Sequence, residues 1–298
     1  AILPILAQRS YAQTSQTQAA QLQQLMQQAW QQTQQGQPLQ AIETLKQALA
    51  IAQSIQNREG EAVANLGLGF NYNRIGEPQQ ALTYYQQALP ITREVSDRTW
   101  EATTLNNIGL VYSDIGQPQE ALTYYQQALT IRQEVRDRRG EATTLNNIGL
   151  VYRDIGKPQE ALTYFQQALP ISREVRDRRG EATTLNSIGA VYGDIGKPQE
   201  ALTYFQQALP ISREVSDRAG EATTLSNIGG VYRAIGQPQE ALTYFQQALP
   251  IRREVRDRRG EATTLNNIGL VYSQIGQPQE ALTYYQQALT ISREVRDR

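Results

Sequence analysis

The sequence predicts an all-α protein, an α-solenoid of helix-turn-helix units. Gly140, Gly180, Gly220 and Gly260 fall at one place in near-identical blocks, a spacing of 40 residues, and self-similarity at a fixed period of that size marks a repeat array. The stretch "EATTLNNIGLVY" stands unchanged at 101–112, 141–152 and 261–272. Within each block, two stretches space their apolar residues by three and four, the period of a helical stripe. The register extends back through Trp100 and Gly60, and to a first block in which Gly36, Pro38, Ala41 and Ala48 match Gly76, Pro78, Ala81 and Ala88. Seven units result, at about 20–59, 60–99, 100–139, 140–179, 180–219, 220–259 and 260–298.

Residues 1–19 precede the array. "AILPILAQRSYAQ" reads as a mobile arm or, since its apolar run reaches the small residues Ser10 and Ala12, as the remnant of a signal peptide. From about residue 20 a glutamine-rich stretch places Leu22, Leu25, Met26, Ala29 and Trp30 on one helical face, so it reads as the first helix of a degenerate capping unit.

The block 141–180 shows each element of a unit. Ala142, Leu145, Ile148 and Tyr152 form the stripe of helix A, which is expected to begin at Glu141, where an acid suits the first turn, and to stop near Gly156. Pro158 suits the first position of helix B. Ala161, Phe165 and Ala168 form its stripe, with Leu162 and Leu169 beside it. Helix B is expected to run on through "ISREVRDRR", with Glu174 and Arg178 as an i,i+4 pair and Gly180 as a left-handed cap. Pro90, Pro170, Pro210 and Pro250 interrupt it, where units three and seven carry Thr130 and Thr290. A proline inside a helix loses one hydrogen bond and costs about 3 kcal/mol. A kink is expected there; the alternative is that helix B ends and a short helix follows. Neither helix can bury its face alone, but stacked units can.

Composition removes much chemistry. Lys+Arg is 28 and Asp+Glu is 29, a formal charge of −1, so no long-range field favours nucleic acid or an anionic surface. Arginines of "REVRDRRGE" alternate with Glu174, Asp177 and Glu181, which reads as an ion-paired ridge and not as a nucleic-acid stripe. The absence of cysteine and histidine removes disulfides, thiolate nucleophiles, imidazole bases and most zinc sites. No phosphate loop or metal cluster emerges. The expectation is a non-enzyme without cofactor and without a membrane span, in the cytoplasm unless Ala1–Ala12 is a signal remnant.

With these residues in place, the unit resembles a tetratricopeptide repeat. Leu145, Ile148, Gly149 and Tyr152 in helix A, Ala161, Phe165 and Ala168 in helix B, and Gly156 in the turn carry the likeness. Leu145 stands where that family often has Trp, and the period is 40 where 34 is usual. The longer form is similar to the repeats of kinesin light chains and of Leu-Gly-Asn-repeat scaffolds, and to arrays common in filamentous cyanobacteria. The resemblance implies a right-handed superhelix and a binding function. Bacterial members of this type attach such arrays to a caspase-like peptidase, kinase or other effector, so the missing initiator Met and the uncapped end at Arg298 suggest a fragment.

Helical spacing divides the rest of helix A into two faces, one with Thr143, Asn146, Leu150 and Arg153 and one with Thr144, Asn147, Val151 and Asp154. The resemblance puts the first on the concave surface. Asn106, Asn146, Asn186 and Asn266, with Ser226 as the exception, then form a ladder of amides able to bond the main chain of an extended peptide. Leu110, Leu150 and Leu270 would add apolar contact, and Arg153 and Arg233 would hold a carboxylate or pair with neighbouring acids. The second asparagine, at 107, 147, 227 and 267, is expected to bridge adjacent units. Unit two, with Leu66 and Phe70, should make its end of the groove more apolar. The expected function is a protein-interaction scaffold that takes an extended segment of a partner. The alternative is a structural role, by self-association through the solenoid ends or as a spacer for an effector.

Overall fold

The computed structural model describes residues 3–296. Fourteen helices, and no strand, occur among the described residues. The A helices are α1 (Leu3–Gln34), α3 (Arg58–Arg74), α5 (Arg98–Asp114), α7 (Arg138–Asp154), α9 (Arg178–Asp194), α11 (Arg218–Ala234) and α13 (Arg258–Gln274). Each is followed by a B helix: α2 (Pro38–Ser54), α4 (Pro78–Glu94), α6 (Pro118–Glu134), α8 (Pro158–Glu174), α10 (Pro198–Glu214), α12 (Pro238–Glu254) and α14 (Pro278–Arg296). The helix α1 takes in most of the stretch 1–19 set apart above; Ala1 and Ile2 lie outside the described residues. The chain divides into two compact units, Ala1–Gly140 and Glu141–Arg298.

The two turns of each repeat use one geometry. After helix A, Gly156 has φ 73°, its N–H donates to Arg153 O, and Lys157 N–H reaches back to Tyr152 O at 2.8 Å. This left-handed closure satisfies the last carbonyls of the helix. After helix B the same pattern recurs with Arg176 at φ 54°, Arg176 N–H on Arg173 O, and Asp177 N–H on Ser172 O at 2.8 Å.

That geometry corrects the expected end of helix B. Helix α8 stops at Glu174, and α9 begins at Arg178. Gly180 is therefore not a left-handed cap; its N–H donates to the Asp177 carboxylate at 3.1 Å, which makes Asp177 the N-cap of the next helix. Glu174 and Arg178 lie on different helices, and Arg178 bonds Glu181 and Glu214 instead. By the same capping, helix A starts three residues before its expected first residue. At Pro90, Pro170, Pro210 and Pro250 the helices run through the proline without ending, so no second short helix forms.

Packing explains the Ile-Gly pair of helix A. In the first unit Ile108 is buried, and a Cβ on Gly109 would come within 2.8 Å of the Tyr125 ring. In the second, a Cβ on Gly149 would come within 2.5 Å of the Phe165 ring. Glycine lets helix B bring its large aromatic against the backbone of helix A. Tyr112 stacks on Tyr124 and Tyr192 on Tyr204, each pair with centroids 5.4 Å apart, so the tyrosine preceding the core aromatic ties B to A.

Repeats join through the leucines of helix B. Leu82 packs with Ile108 and Val111 of the following A helix, and Leu162 with Ile188 and Val191. Burying one such side chain contributes about 1.5–3 kcal/mol, and no single repeat can supply the cover itself.

Candidate functional site

In both units consecutive A helices approach one another: α1 with α3 and α3 with α5 in the first, α9 with α11 and α11 with α13 in the second. Consecutive B helices make no such approach among the described residues. The A side is therefore the inner side of each unit.

The inner rows differ from those that simple spacing assigns. Asn106 and Asn146 are buried, at 7% and 8% exposure. Asn186 donates from Nδ2 to Thr224 Oγ1 of the next A helix at 2.6 Å. The bridging role expected of the second asparagine is thus held, at Asn186, by the first. Ser226 turns its hydroxyl to Ala222 O at 2.8 Å, and Asn266, on the last A helix, is exposed.

The second asparagine faces the inner surface. Asn107 lines a cleft of the first unit, and Asn227 and Asn267 line a hollow of the second. Along helix α5 the uncovered row is Thr103, Asn107, Leu110 and Asp114, with Leu110 39% exposed. Leu150 and Leu270 are half-buried, Leu150 against the cluster around Phe165.

The two arginines have different surroundings. Arg153 Nε donates to Asp194 Oδ2 at 2.6 Å, so its charge is engaged by the next A helix. Arg233 is half-buried, and its buried Nε has no hydrogen-bond partner. The residue 41 positions on from Arg233 is Gln274, where Arg153 meets Asp194.

The hollow of the second unit, about 300 Å³, is floored by Ala190, Gly193 and Gly230. A Cβ on either glycine would meet nothing within 4 Å, so packing does not require glycine there. The cleft of the first unit, about 370 Å³, is lined by Trp30, Phe70 and Trp100. Among the described residues no cluster of acidic, histidine or cysteine side chains could hold a metal ion, and no helix is long and apolar enough to cross a membrane.

Repeats of this length, with a paired-helix unit and an inner A side, define a helical repeat scaffold. The tetratricopeptide repeat family matches residues 25–94, 60–134, 140–214 and 220–294, and the chain belongs to that family. Among curated protein sequences none matches. Solved structures share the fold at low identity. Aspartyl phosphate phosphatase F of Bacillus subtilis is similar over 98% of this chain and 75% of its own, with TM-score 0.77 and 16% identity. The Rap conjugation gene regulator of plasmid pLS20, solved in complex with the Phr* peptide, is similar over 90% and 73%, with TM-score 0.69 and 19% identity. A kinesin light chain-like repeat protein of Podospora anserina is similar over 67% of this chain and 98% of its own, with TM-score 0.53 and 20% identity.

Proposed function

We propose that the chain is a non-catalytic protein-interaction scaffold that receives an extended segment of a partner on the inner face of its A helices. The observation that carries this is the inner row itself. Asn107, Asn227 and Asn267 line open cavities beside uncovered positions that change from unit to unit, Leu110, Ala190 and Gly230, over a core that hardly changes. An amide offers donors and an acceptor to a peptide main chain, and each such bond is worth only about 1 kcal/mol net, so several rungs and some apolar contact are needed. The pLS20 regulator, whose fold this chain shares, was solved with a peptide bound, which supports the reading.

The test is capture from a native lysate by the full chain and by a version with Asn107, Asn147, Asn227 and Asn267 changed to Ala, with folding checked by circular dichroism. Loss of a partner with the helical signal unchanged is expected. Equal capture by both versions would remove the inner row from the function.

One observation favours the structural alternative. Leu282 and Leu289 of α14 are 46% and 48% exposed, while Leu242 of α12 is 6% exposed beneath the next A helix. Self-association through that end is checked by sedimentation of the chain over a range of concentrations.

A further inference from the structure

The chain has two tryptophans, and both line the cleft of the first unit. They are held in the open: Trp30 is 66% exposed and Trp100 42%, and Phe70 between them is 45% exposed. Buried tryptophan is ordinary, but exposed aromatics gathered on one inner face mark an interaction surface, and aromatic side chains dominate interface energetics.

The departures from the repeat collect here. Position 70 carries Phe where later units have Leu110, Leu150, Ala190, Gly230 and Leu270. Position 100 carries Trp where they have Gly140, Gly180, Gly220 and Gly260. Position 74 carries Arg where they have Asp114, Asp154, Asp194, Ala234 and Gln274. Untargeted drift in an array of near copies would scatter such changes; three of them surround one cleft.

The charge pattern limits what fits. No charged side chain lines the cleft, so a charged group pushed into it would lose hydration without a partner. Arg74 stands at the rim. Its Nη1 donates to Thr33 O at 2.8 Å and its guanidinium lies 5.8 Å from the Phe70 centroid. Both contacts hold the cation in place without neutralising it, and no carboxylate of the described residues pairs with it.

We infer that this cleft anchors the partner segment by uncharged apolar side chains, with a carboxylate of the same segment on Arg74. The inference rests on the inner-face reading above and adds to it the chemical class of the segment. An aromatic cleft excludes water from an apolar anchor, and a fixed guanidinium at its edge selects an acidic neighbour over a basic one.

The probe is a phage-displayed library of random linear dodecapeptides, panned on the full chain, followed by titration of the enriched peptides in synthetic form. Because both tryptophans line the cleft, intrinsic emission reports on it directly. Enriched peptides should carry an apolar pair beside Asp or Glu and should shift the emission to the blue on binding. Affinity should fall at least tenfold in Phe70→Ala, a residue type that unit five carries at this place, and severalfold in Arg74→Gln, the residue of unit seven. Folding is secured by these precedents and checked by the thermal midpoint. Peptides that bind Phe70→Ala as they bind the wild type, leave emission unchanged, and are lost in Gly230→Leu would place the anchor in the second unit: the inner-face reading stands and this inference falls. Enrichment of no peptide at all overturns both.

Discussion

Glu221 shows how single residues close each repeat. It is buried, yet it accepts from Arg213 Nε at 2.8 Å and from Arg218, which also donates to Glu254 at 2.7 Å. Glu101, Glu181 and Glu261 repeat the arrangement. A buried carboxylate is tolerable only with partners, and here both come from the turn that joins one repeat to the next. Glu221→Gln should therefore lower the unfolding free energy by about 1–2 kcal/mol, the lower part of the range for charge-assisted bonds because the arginines are half-exposed; urea titration of the full chain measures it. The outer partners add a pH dependence. Hydrogen bonds from Arg58, Arg178 and Arg218 hold the carboxyls of Glu94, Glu214 and Glu254 below their ordinary value of 4.5. A carboxyl depressed in the folded state contributes stability above its unfolded pKa, and that contribution is lost as pH falls through the folded value. With no histidine in the chain, the thermal midpoint should be flat from about pH 6 to 8 and fall below about 4.5. Arg178→Gln and Arg218→Gln should shrink that acid-side fall; a midpoint that declines already at pH 6 would contradict the assignment.

At the level of the element, the two turns of each repeat differ only in the residue that takes the left-handed conformation. After helix A it is glycine, with φ 72–79°; after helix B it is Gln56, Ser96, Arg136, Arg176, Ser216 or Arg256, with φ 54–58°. An L side chain there costs about 1–2 kcal/mol, and glycine would remove most of that while adding freedom to the unfolded chain. Ser216→Gly should raise stability by about 0.5–1 kcal/mol, measured by the shift of the urea midpoint. The same fact explains what was legible in advance. Gly156 and Pro158 announce the A-to-B turn, and Gly149 beside Ile148 announces the close approach of the Phe165 ring. The B-to-A turn hides, because Arg176 looks like any helix-favouring arginine, and only Asp177 three residues before Gly180 hints at a cap. The inner face was blurred for a related reason. Asn146 and Asn147 are adjacent, about 100° apart on the helix, and the burial of one and the exposure of the other depend on how closely the next A helix packs, which no single repeat encodes.

Across the whole chain, stability is a sum over repeats and their nearest-neighbour contacts. An internal B helix gains from the A helix that follows it: Leu162, Leu202 and Leu242 are 6%, 5% and 6% exposed, and each packs under the isoleucine and valine of the next repeat. Helix α14 has the same leucines and no following A helix among the described residues, so Leu282 and Leu289 stay at 46% and 48% exposure. Two leucines left largely in water withhold about 2–4 kcal/mol that the internal helices receive. Local opening of α14 should therefore cost less than opening of α12, and backbone amides near Ala288 should exchange with solvent at least tenfold faster than those near Ala248. Native-state hydrogen exchange followed by mass spectrometry reads this, with α12 as the internal reference because its sequence is nearly the same. Dilution supplies the second arm. If α14 is as protected as α12 in concentrated samples and loses that protection on dilution, its leucines are covered by another copy, and the structural role gains ground. Equal protection at every concentration would mean that nearest-neighbour cover does not set repeat stability in this chain.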